Sequence, residues 1–281
     1  MNHYLLTGLV PSFFLPRAAG LLLGLCWILN TQAQDFESLG PGVNHDKYVD
    51  SSPVISVDGR TLIYKHDPDG GDYDIFISEF RDGAWQKSQP VATLNTDKND
   101  SPLYLSPDGN TLFLAGSYPK LGLYASKRTS TGWGKPEPVP FVQSFEVDEG
   151  WFYASFNTTM NTCIISNFRD LHVSFLQADG RWSKPEKISA LSSKGSEGNA
   201  FLANDDKTLY FATDGFPGCA GMDIYMSKRL DDTWQKWSEP VNLGPPVNSP
   251  DWESYYKLTA RGDYAYVYSR RTGGGDLYRL K

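Results

Sequence analysis

The segment SEPVNLGPPVN at residues 238–248 reappears in shortened form as FESLGPGVN at residues 36–44. Between the two, five stretches share one pattern. In each, an acidic residue precedes a small residue, an alternating apolar run, a turn and a second apolar run. They span residues 50–64, 100–114, 149–165, 197–211 and 253–268. Alternating apolar residues predict strands, and the DG dipeptides in the first two copies are typical of hairpin turns. The chain is therefore expected to consist of five similar β-units.

Each hairpin is followed by a loop and a third apolar stretch, at residues 72–80, 121–128, 169–177, 221–229 and 275–281. Four units then continue to a tryptophan and a short fourth segment, at residues 85–91, 133–139, 182–188 and 237–243. The fifth unit stops at Lys281 without such a segment. Because FESLGPGVN matches the end of a unit, we expect it to supply the missing strand, which leaves no exposed edge between first and last units.

These features predict an all-β fold, a five-bladed β-propeller with four-stranded antiparallel blades whose last blade is closed by the N-terminal strand. The blade repeats start near residues 50, 100, 149, 197 and 253, and residues 34–281 form a single domain. A two-sheet sandwich is the alternative all-β architecture. It would not need the fourth strand of one unit to come from the other end of the chain.

Residues 1–33 differ from the rest and are interpreted as a signal peptide. Arg17 precedes a short apolar run, and the small residues Thr31 and Ala33 suit cleavage. A membrane anchor is the alternative, and a lipoprotein is not expected because Leu25 precedes Cys26. We expect a periplasmic or secreted protein with no transmembrane segment in the mature chain.

The charge of the chain limits the class of partner. The mature chain would carry 25 basic and 33 acidic side chains, a net charge of −8. An acidic surface argues against nucleic acid and anionic membranes as partners. The remaining cysteines, Cys163 and Cys219, fall in different repeats, and we expect them to stay unpaired. We expect a monomer with no cofactor.

The stretches SPDGNTLFL, GMDIYMSKR and SRRTGGGDLY resemble the WD-like β-propeller repeat of the TolB-associated bacterial envelope type. The resemblance covers essentially the whole mature chain. It implies a propeller in the cell envelope, acting as a binding or scaffold module for an envelope protein, a peptide or a glycan. It implies little about the ligand, since such repeats serve many purposes.

The repeated acids occupy the entry to the innermost strand of each predicted blade: Asp50, Asp100, Glu149, Glu197 and Glu253. In a propeller they would surround one mouth of the central channel. One interpretation is structural, with each carboxylate accepting hydrogen bonds from backbone N–H groups at a blade junction. A second is binding, because a ring of carboxylates attracts a cationic ligand or a basic peptide. Ca²⁺ is the metal that such oxygen ligands would suit.

A third interpretation is catalysis. Five-bladed propellers with acids on their inner strands resemble glycoside hydrolases of the arabinanase and fructosidase type, which use a carboxylic acid and a carboxylate on either side of the scissile bond. That resemblance implies Glu149 or Glu197 as the acid and Asp50 or Asp100 as the base or nucleophile.

Other side chains complete the predicted ligand site on the same face. Trp151 and Trp252 flank two of the acids and suit a carbohydrate or peptide, with partly buried packing as the alternative for each. Arg270 and Arg271 follow a second strand. The tryptophans that occur once per blade, among them Trp85, are expected to pack between blades. The four histidines lie in different sequence contexts and show no metal-binding spacing, so no histidine metal site is predicted.

Overall fold

The computed structural model describes residues 36–45, 47–67, 70–118, 121–140 and 152–281. These residues form five antiparallel sheets and contain no α-helix. The described part accordingly offers no helix with the length and hydropathy to cross a membrane. Strand β1 (Phe36–Ser38) precedes the first sheet.

The first three sheets follow each other along the chain. Blade 1 contains β2 (Asp50–Ile55), β3 (Thr61–His66), β4 (Asp74–Arg81), β5 (Ala84–Trp85) and β6 (Gln89–Pro90). Blade 2 contains β7 (Ser101–Leu105), β8 (Thr111–Ser117), β9 (Leu121–Thr129), β10 (Gly132–Trp133) and β11 (Glu137–Pro138). Blade 3 contains β12 (Tyr153–Phe156), β13 (Thr162–Ser166), β14 (Leu171–Phe175) and β15 (Glu186–Lys187). In blades 1 and 2 two short segments share the outer position.

A 3₁₀ turn at Ser189–Leu191 leads into the last two sheets. Blade 4 contains β16 (Glu197–Leu202), β17 (Thr208–Thr213), β18 (Asp223–Lys228) and β19 (Val241–Asn242). Blade 5 contains β20 (Glu253–Leu258), β21 (Ala265–Ser269) and β22 (Asp276–Leu280), with β1 as its fourth strand. The predicted five-bladed propeller, with its last blade completed by the N-terminal strand, is confirmed.

The hairpin turn between the first and second strands of each blade has one residue in the left-handed conformation. Gly59 (φ 70°) and Gly109 (φ 71°) take this position in the two DG turns. Glycine suits such a backbone because it has no Cβ. Met160 (φ 58°) and Asp206 (φ 54°) occupy it in blades 3 and 4, so the same turn forms there without the DG signature.

The two hexapeptides that opened the sequence comparison fold into the same turn. Asn44 donates its N–H to Gly40 O (2.8 Å), and Asn248 donates to Gly244 O (2.9 Å). The Asn44 side chain then bonds both backbone groups of Leu277, donating at 2.8 Å and accepting at 2.9 Å. Asn248 does the same with Ile224. In both blades a side-chain amide thus pairs with the third strand just past the end of the short outer strand.

The hydrophobic core lies between neighbouring blades. Trp85 of blade 1 contacts Tyr266 of blade 5, with ring centroids 6.2 Å apart, and both residues are buried. Tyr104 of blade 2 contacts Phe156 of blade 3 at 5.3 Å. Packing between blades, as predicted for the repeated tryptophans, is confirmed for Trp85. Cys163 and Cys219 are unpaired, as expected.

Polar side chains from four blades meet near the axis. The hydroxyls of Tyr153 and Tyr255 lie 2.6 Å apart, and Ser52 donates to Tyr153 at 3.4 Å. Ser101 in turn donates to Ser52 at 3.2 Å. All four residues are buried, so this network bridges the channel and ties blades 1, 2, 3 and 5 together.

Candidate functional site

Four of the five repeated acids lie in the described part of the chain, and each is fully enclosed at the start of its blade. Their residues are 0% exposed: Asp50, Asp100, Glu197 and Glu253. Each also donates its main-chain N–H to a carbonyl just before the third strand of the preceding blade. The acceptors are the carbonyls of Gly275, Tyr73, Arg169 and Met222, respectively. The acid position is therefore a joint between blades.

The carboxylates hold the loops that enter the inner strands. Each accepts the main-chain N–H of a residue four or five positions earlier: His45 (2.8 Å), Thr96 (2.6 Å), Ser193 (3.2 Å) and Ser249 (2.8 Å). We call this arrangement the loop latch. It matches the structural interpretation of the repeated acids, because a carboxylate that accepts a backbone N–H satisfies a donor the loop would otherwise leave unpaired.

Two of the latches are incompletely satisfied within the described residues. Asp100 Oδ1 and Glu197 Oε2 are buried with no hydrogen-bond partner there. Burial raises the pKa of both carboxyl groups above the ordinary range. Because Asp100 and Glu197 are enclosed, they cannot contact a bound peptide or glycan in this conformation.

Five predicted site residues remain to be placed. Glu149 and Trp151 lie outside the described residues, so a fifth latch and an aromatic residue beside it stay predictions. Arg271 stabilises the closure of the propeller. Its guanidinium lies 3.6 Å from the centroid of the Phe36 ring and donates to Val247 O (2.7 Å).

Trp252 and Arg270 are exposed on the face where the inner strands begin, which we call the entry face. Trp252 is 38% exposed, and the Arg270 guanidinium lies 5.5 Å from the centroid of its ring. Arg270 also donates from Nε to Tyr268 Oη at 3.0 Å, which fixes its orientation. A cation held over an exposed indole is a common recognition surface for polar ligands.

A cavity of about 640 Å³ opens beside this pair, between the N-terminal loop and the last blade. We call it the entry pocket. It is lined by His45, Lys47, Tyr48, Arg270, Thr272 and Asp276. The glycines of the 273–275 loop also line it. A side chain at Gly275 would come within 2.6 Å of Tyr268 Oη, so this glycine is required for the close packing.

Two of the four histidines meet in the structure, although their sequence contexts differ. His45 and His66 both contact Asp50, with Nδ1 to Oδ1 distances of 3.3 Å and 2.7 Å. Their ring centroids are 4.0 Å apart. The spacing in sequence gave no sign of this, because His45 is in a loop and His66 ends β3. The pairing of His66 with Asp50 across the hairpin brings them together.

The opposite end of the channel has a different character. A smaller pocket of about 100 Å³ is lined by apolar side chains such as Leu103 and Phe201, and by Lys257. Lys257 is buried, and its Nζ lies 3.5 Å from Leu103 O. Burial lowers the pKa of Lys257 to about 8.

Comparison with known proteins identifies the fold alone. No known family model matches the sequence, and no curated protein is similar to it in sequence. Two structures are similar in fold: TolB from Acinetobacter baumannii (14% identity, TM-score 0.51) and a protein described as putative TolB from Agrobacterium tumefaciens (13%, 0.52). They match 85% and 83% of this chain, which spans 55% and 76% of their lengths.

The α-L-arabinofuranosidase PaAbf62A from Podospora anserina is also similar, with 13% identity and a TM-score of 0.57 over 86% of this chain and 91% of that enzyme. At such identities the likeness concerns architecture and not activity. The chain is thus a five-bladed propeller whose structural neighbours include both TolB proteins and a glycosidase.

Proposed function

We propose that this chain is an exported cell-envelope protein that binds a peptide or glycan at the entry face and does not cleave it. The observation that carries the proposal is the full burial of the four described acids at the inner-strand entries. Among the described residues, the groups that remain available there are the Trp252–Arg270 pair and the lining of the entry pocket. Aromatic and charged side chains around an open pocket suit recognition.

The charges of the entry pocket favour an anionic group on the ligand. Lys47 and Arg270 line it, and among the residues that the structure describes Asp276 is the one acidic residue of the lining. The chain as a whole has a formal net charge of −7, so this basic lining is a local exception. A cationic ligand was predicted on the basis of exposed acids. Since the described acids are enclosed, a carboxylate-bearing peptide or glycan fits the accessible charges better.

The export and the scaffold role are part of the same proposal. They are supported by the signal-like residues 1–33 and by the likeness of the fold to TolB structures. A propeller that presents one recognition face can hold an envelope protein through a peptide segment of that protein. The proposed ligand class therefore includes acidic segments of such partners as well as uronic acid oligosaccharides.

Binding can be tested with acidic peptides and uronic acid oligosaccharides, titrated into the mature protein and followed by calorimetry. The variants Trp252→Ala and Arg270→Ala should weaken the binding by about tenfold or more, since each removes a central contact. Arg261→Ala is the matched control, because Arg261 is exposed in the hairpin turn of blade 5. Equal affinity of all three variants would refute the entry face as the binding site.

Glycoside hydrolysis is the second candidate, favoured by the fold likeness to the arabinofuranosidase and to a GH43 endo-arabinanase from Bacillus licheniformis (12% identity, TM-score 0.51). Hydrolysis needs two accessible carboxyl groups about 5–9.5 Å apart. The test is an assay of arabino- and fructo-oligosaccharides with wild type, Glu197→Gln and Glu149→Gln. Turnover by wild type that either variant abolishes would establish the enzyme and refute our first proposal.

A further inference from the structure

The loop latches offer an internal comparison, because the same two positions surround the carboxylate in different blades. The first position is the loop residue whose N–H the acid accepts. The second is the residue opposite the acid on the second strand. In blade 5 both are serines, Ser249 and Ser269, which donate their hydroxyls to Glu253 at 2.7 Å and 2.6 Å. Two hydroxyl groups thus hold the loop in this blade, and the Arg271 guanidinium adds a contact at 3.5 Å from Glu253 Oε1.

Blade 4 repeats this chemistry, with Ser193 and Thr213 donating hydroxyls to Glu197 Oε1. In blade 2 the loop residue is Thr96, whose hydroxyl donates to Asp100 at 3.0 Å. Gly116 faces Asp100 there, and its hypothetical Cβ would lie 2.5 Å from the carboxylate. No described latch outside blade 1 uses an imidazole at either position.

In blade 1 both positions are histidines. His45 Nδ1 lies 3.3 Å from both oxygens of Asp50, and His66 Nδ1 lies 2.7 Å from Oδ1. Each of the three residues offers one possible ligand atom, an imidazole nitrogen or a carboxylate oxygen. These three atoms lie within 4.8 Å of one another. In blades 4 and 5, hydroxyl groups at these two positions hold the entry loop. The two imidazoles of blade 1 can in addition coordinate a metal ion, which holding the loop does not require.

We propose that His45, Asp50 and His66 bind a divalent transition metal, with Zn²⁺ as the best fit. Two imidazole nitrogens and a carboxylate oxygen form a donor set typical of Zn²⁺. Ligand atoms in a tetrahedral zinc site are separated by about 3.3 Å, given bond lengths of about 2.0–2.1 Å. His45 Nδ1 lies at this distance from Asp50 Oδ1, 3.3 Å, whereas His66 Nδ1 is closer, at 2.7 Å. All three ligand atoms lie within 4.8 Å of one another, so small side-chain rotations bring them to tetrahedral spacing. Ca²⁺ and Mg²⁺ prefer oxygen ligands and do not suit this set.

The proposed metal site is enclosed except on the side of His45. Asp50 and His66 are enclosed, which fixes two ligands in place, whereas the His45 side chain is 34% exposed and lines the entry pocket. His45 can therefore turn slightly to complete the site. The fourth coordination position would face the entry pocket, where a water molecule or an anionic oxygen can bind. The metal site does not depend on the proposed ligand of that pocket.

The test uses the mature, tag-free protein and the metal alone. After treatment with EDTA, wild type should bind one equivalent of Zn²⁺ by calorimetry, and Co²⁺ should give the visible absorption of a low-coordinate site. Zn²⁺ should also raise the melting temperature, because it binds the folded state. Ca²⁺ and Mg²⁺ should have neither effect at equal concentration.

The decisive variant is the double substitution His45→Ser and His66→Thr, which gives blade 1 the hydroxyl latch of blade 4. It should keep the far-UV spectrum of wild type and lose the Zn²⁺ equivalent and the Co²⁺ absorption. His45→Ser alone, on the half-exposed loop, should weaken Zn²⁺ binding by at least about tenfold. His172→Ser, on β14 of blade 3, is the matched control and should bind as wild type does.

Two results would overturn the proposal. One is wild-type protein that takes up no stoichiometric Zn²⁺, and the other is a folded double variant that binds Zn²⁺ as tightly as wild type. If the double variant does not fold, the single His45→Ser variant decides between the outcomes. The metal titrations contain no peptide or glycan, so a failure to bind metal does not count against the proposed recognition of a peptide or glycan. A failure to bind a peptide or glycan likewise does not count against the metal site.

Discussion

Glu37 lies directly opposite Arg279 in the closing sheet, although 242 residues separate them in the chain. Arg279 donates to the Glu37 carboxylate from Nε at 2.6 Å and also from Nη2. The Glu37 side chain is 51% exposed, and an ion pair so close to solvent contributes little to stability. The backbone pairing of β1 with β22 therefore carries most of the closure.

Deletion of residues 34–44 should destabilise the protein far more than an ordinary terminal truncation. It removes β1, exposes the edge of β22 and takes away both Asn44 bonds to Leu277. We expect a loss on the order of 3 kcal/mol or more in the free energy of unfolding. Urea denaturation followed by circular dichroism measures it.

The control for this deletion is Glu37→Gln, which keeps the strand and removes the charge. Its effect should stay below about 1 kcal/mol. A deletion variant as stable as wild type would contradict the closure. So would a Glu37→Gln variant as unstable as the deletion, because the ion pair would then be the main contribution.

The sequence was sufficient for the blade number and the closure because both depend on patterns within the chain. Both the hairpin pattern repeated five times and the fourth strand at the other end of the chain can be recognised directly in the amino-acid sequence. The His45–Asp50–His66 cluster depends instead on which loop residue and which strand residue face the same acid. His66 sits opposite Asp50 through the hairpin register, and His45 through the length of the entry loop. Comparing the five copies position by position would have revealed the two imidazoles.

The burial of the repeated acids was not predictable from their type and position alone. A carboxylate at a channel mouth can face solvent or turn back onto its own loop. In the described blades the loop presents N–H and hydroxyl donors from residues such as Thr96 and Ser249, and the acid turns toward them. The serine or threonine four residues before each of Asp100, Glu197 and Glu253 is the sequence signal that was missed.

The Asn95 side chain should stabilise blade 1 in the way that the Asn44 side chain stabilises blade 5. It accepts from Ile75 N at 2.8 Å and donates to Ile75 O at 3.2 Å, next to the outer segment of the sheet. Asn95→Ala leaves two backbone groups of Ile75 without these partners. We expect a loss of about 1–3 kcal/mol in the free energy of unfolding. Asn110→Ala, in an exposed hairpin turn, should cost much less, and equal effects would refute the bridging role.

Asp100 should separate the two roles of a latch carboxylate, hydrogen bonding and charge. Asp100→Ala removes the acceptor of the Thr96 N–H and hydroxyl and should cost about 1–3 kcal/mol. Asp100→Asn keeps an acceptor oxygen and removes the buried charge. It should therefore be more stable than Asp100→Ala, and at neutral pH at least as stable as wild type.

The pH dependence follows from the raised pKa of Asp100. Burial favours the protonated form in the folded state, so this carboxyl group costs stability as the pH rises through the range between its ordinary and its raised pKa. Across that range the free energy of unfolding of Asp100→Asn should increase relative to that of wild type as the pH rises. At lower pH this difference should disappear. Denaturation curves for both proteins at several pH values measure this. A constant difference would show that the charge of Asp100 does not oppose folding.

Lys257 gives the opposite pH dependence at the other end of the channel. Its folded-state pKa of about 8 lies below the value of 10.5 for an ordinary lysine, so the folded state releases the proton more readily than the unfolded chain. Stability from this group rises with pH between these two values. The buried ammonium thus lowers the free energy of unfolding at neutral pH by about 3 kcal/mol.

Lys257→Met removes that cost while keeping an unbranched side chain of similar length in the apolar pocket. The variant should be more stable than wild type at pH 7, and the difference should narrow by about 1 kcal/mol at pH 9, where the folded wild type is largely deprotonated. The contribution of Lys65, whose pKa burial lowers to about 7, cancels because both proteins contain it. A difference that stays constant with pH, or a methionine variant less stable than wild type, would mean that the Lys257 ammonium is stabilised by its contacts with Leu103 O and Phe201.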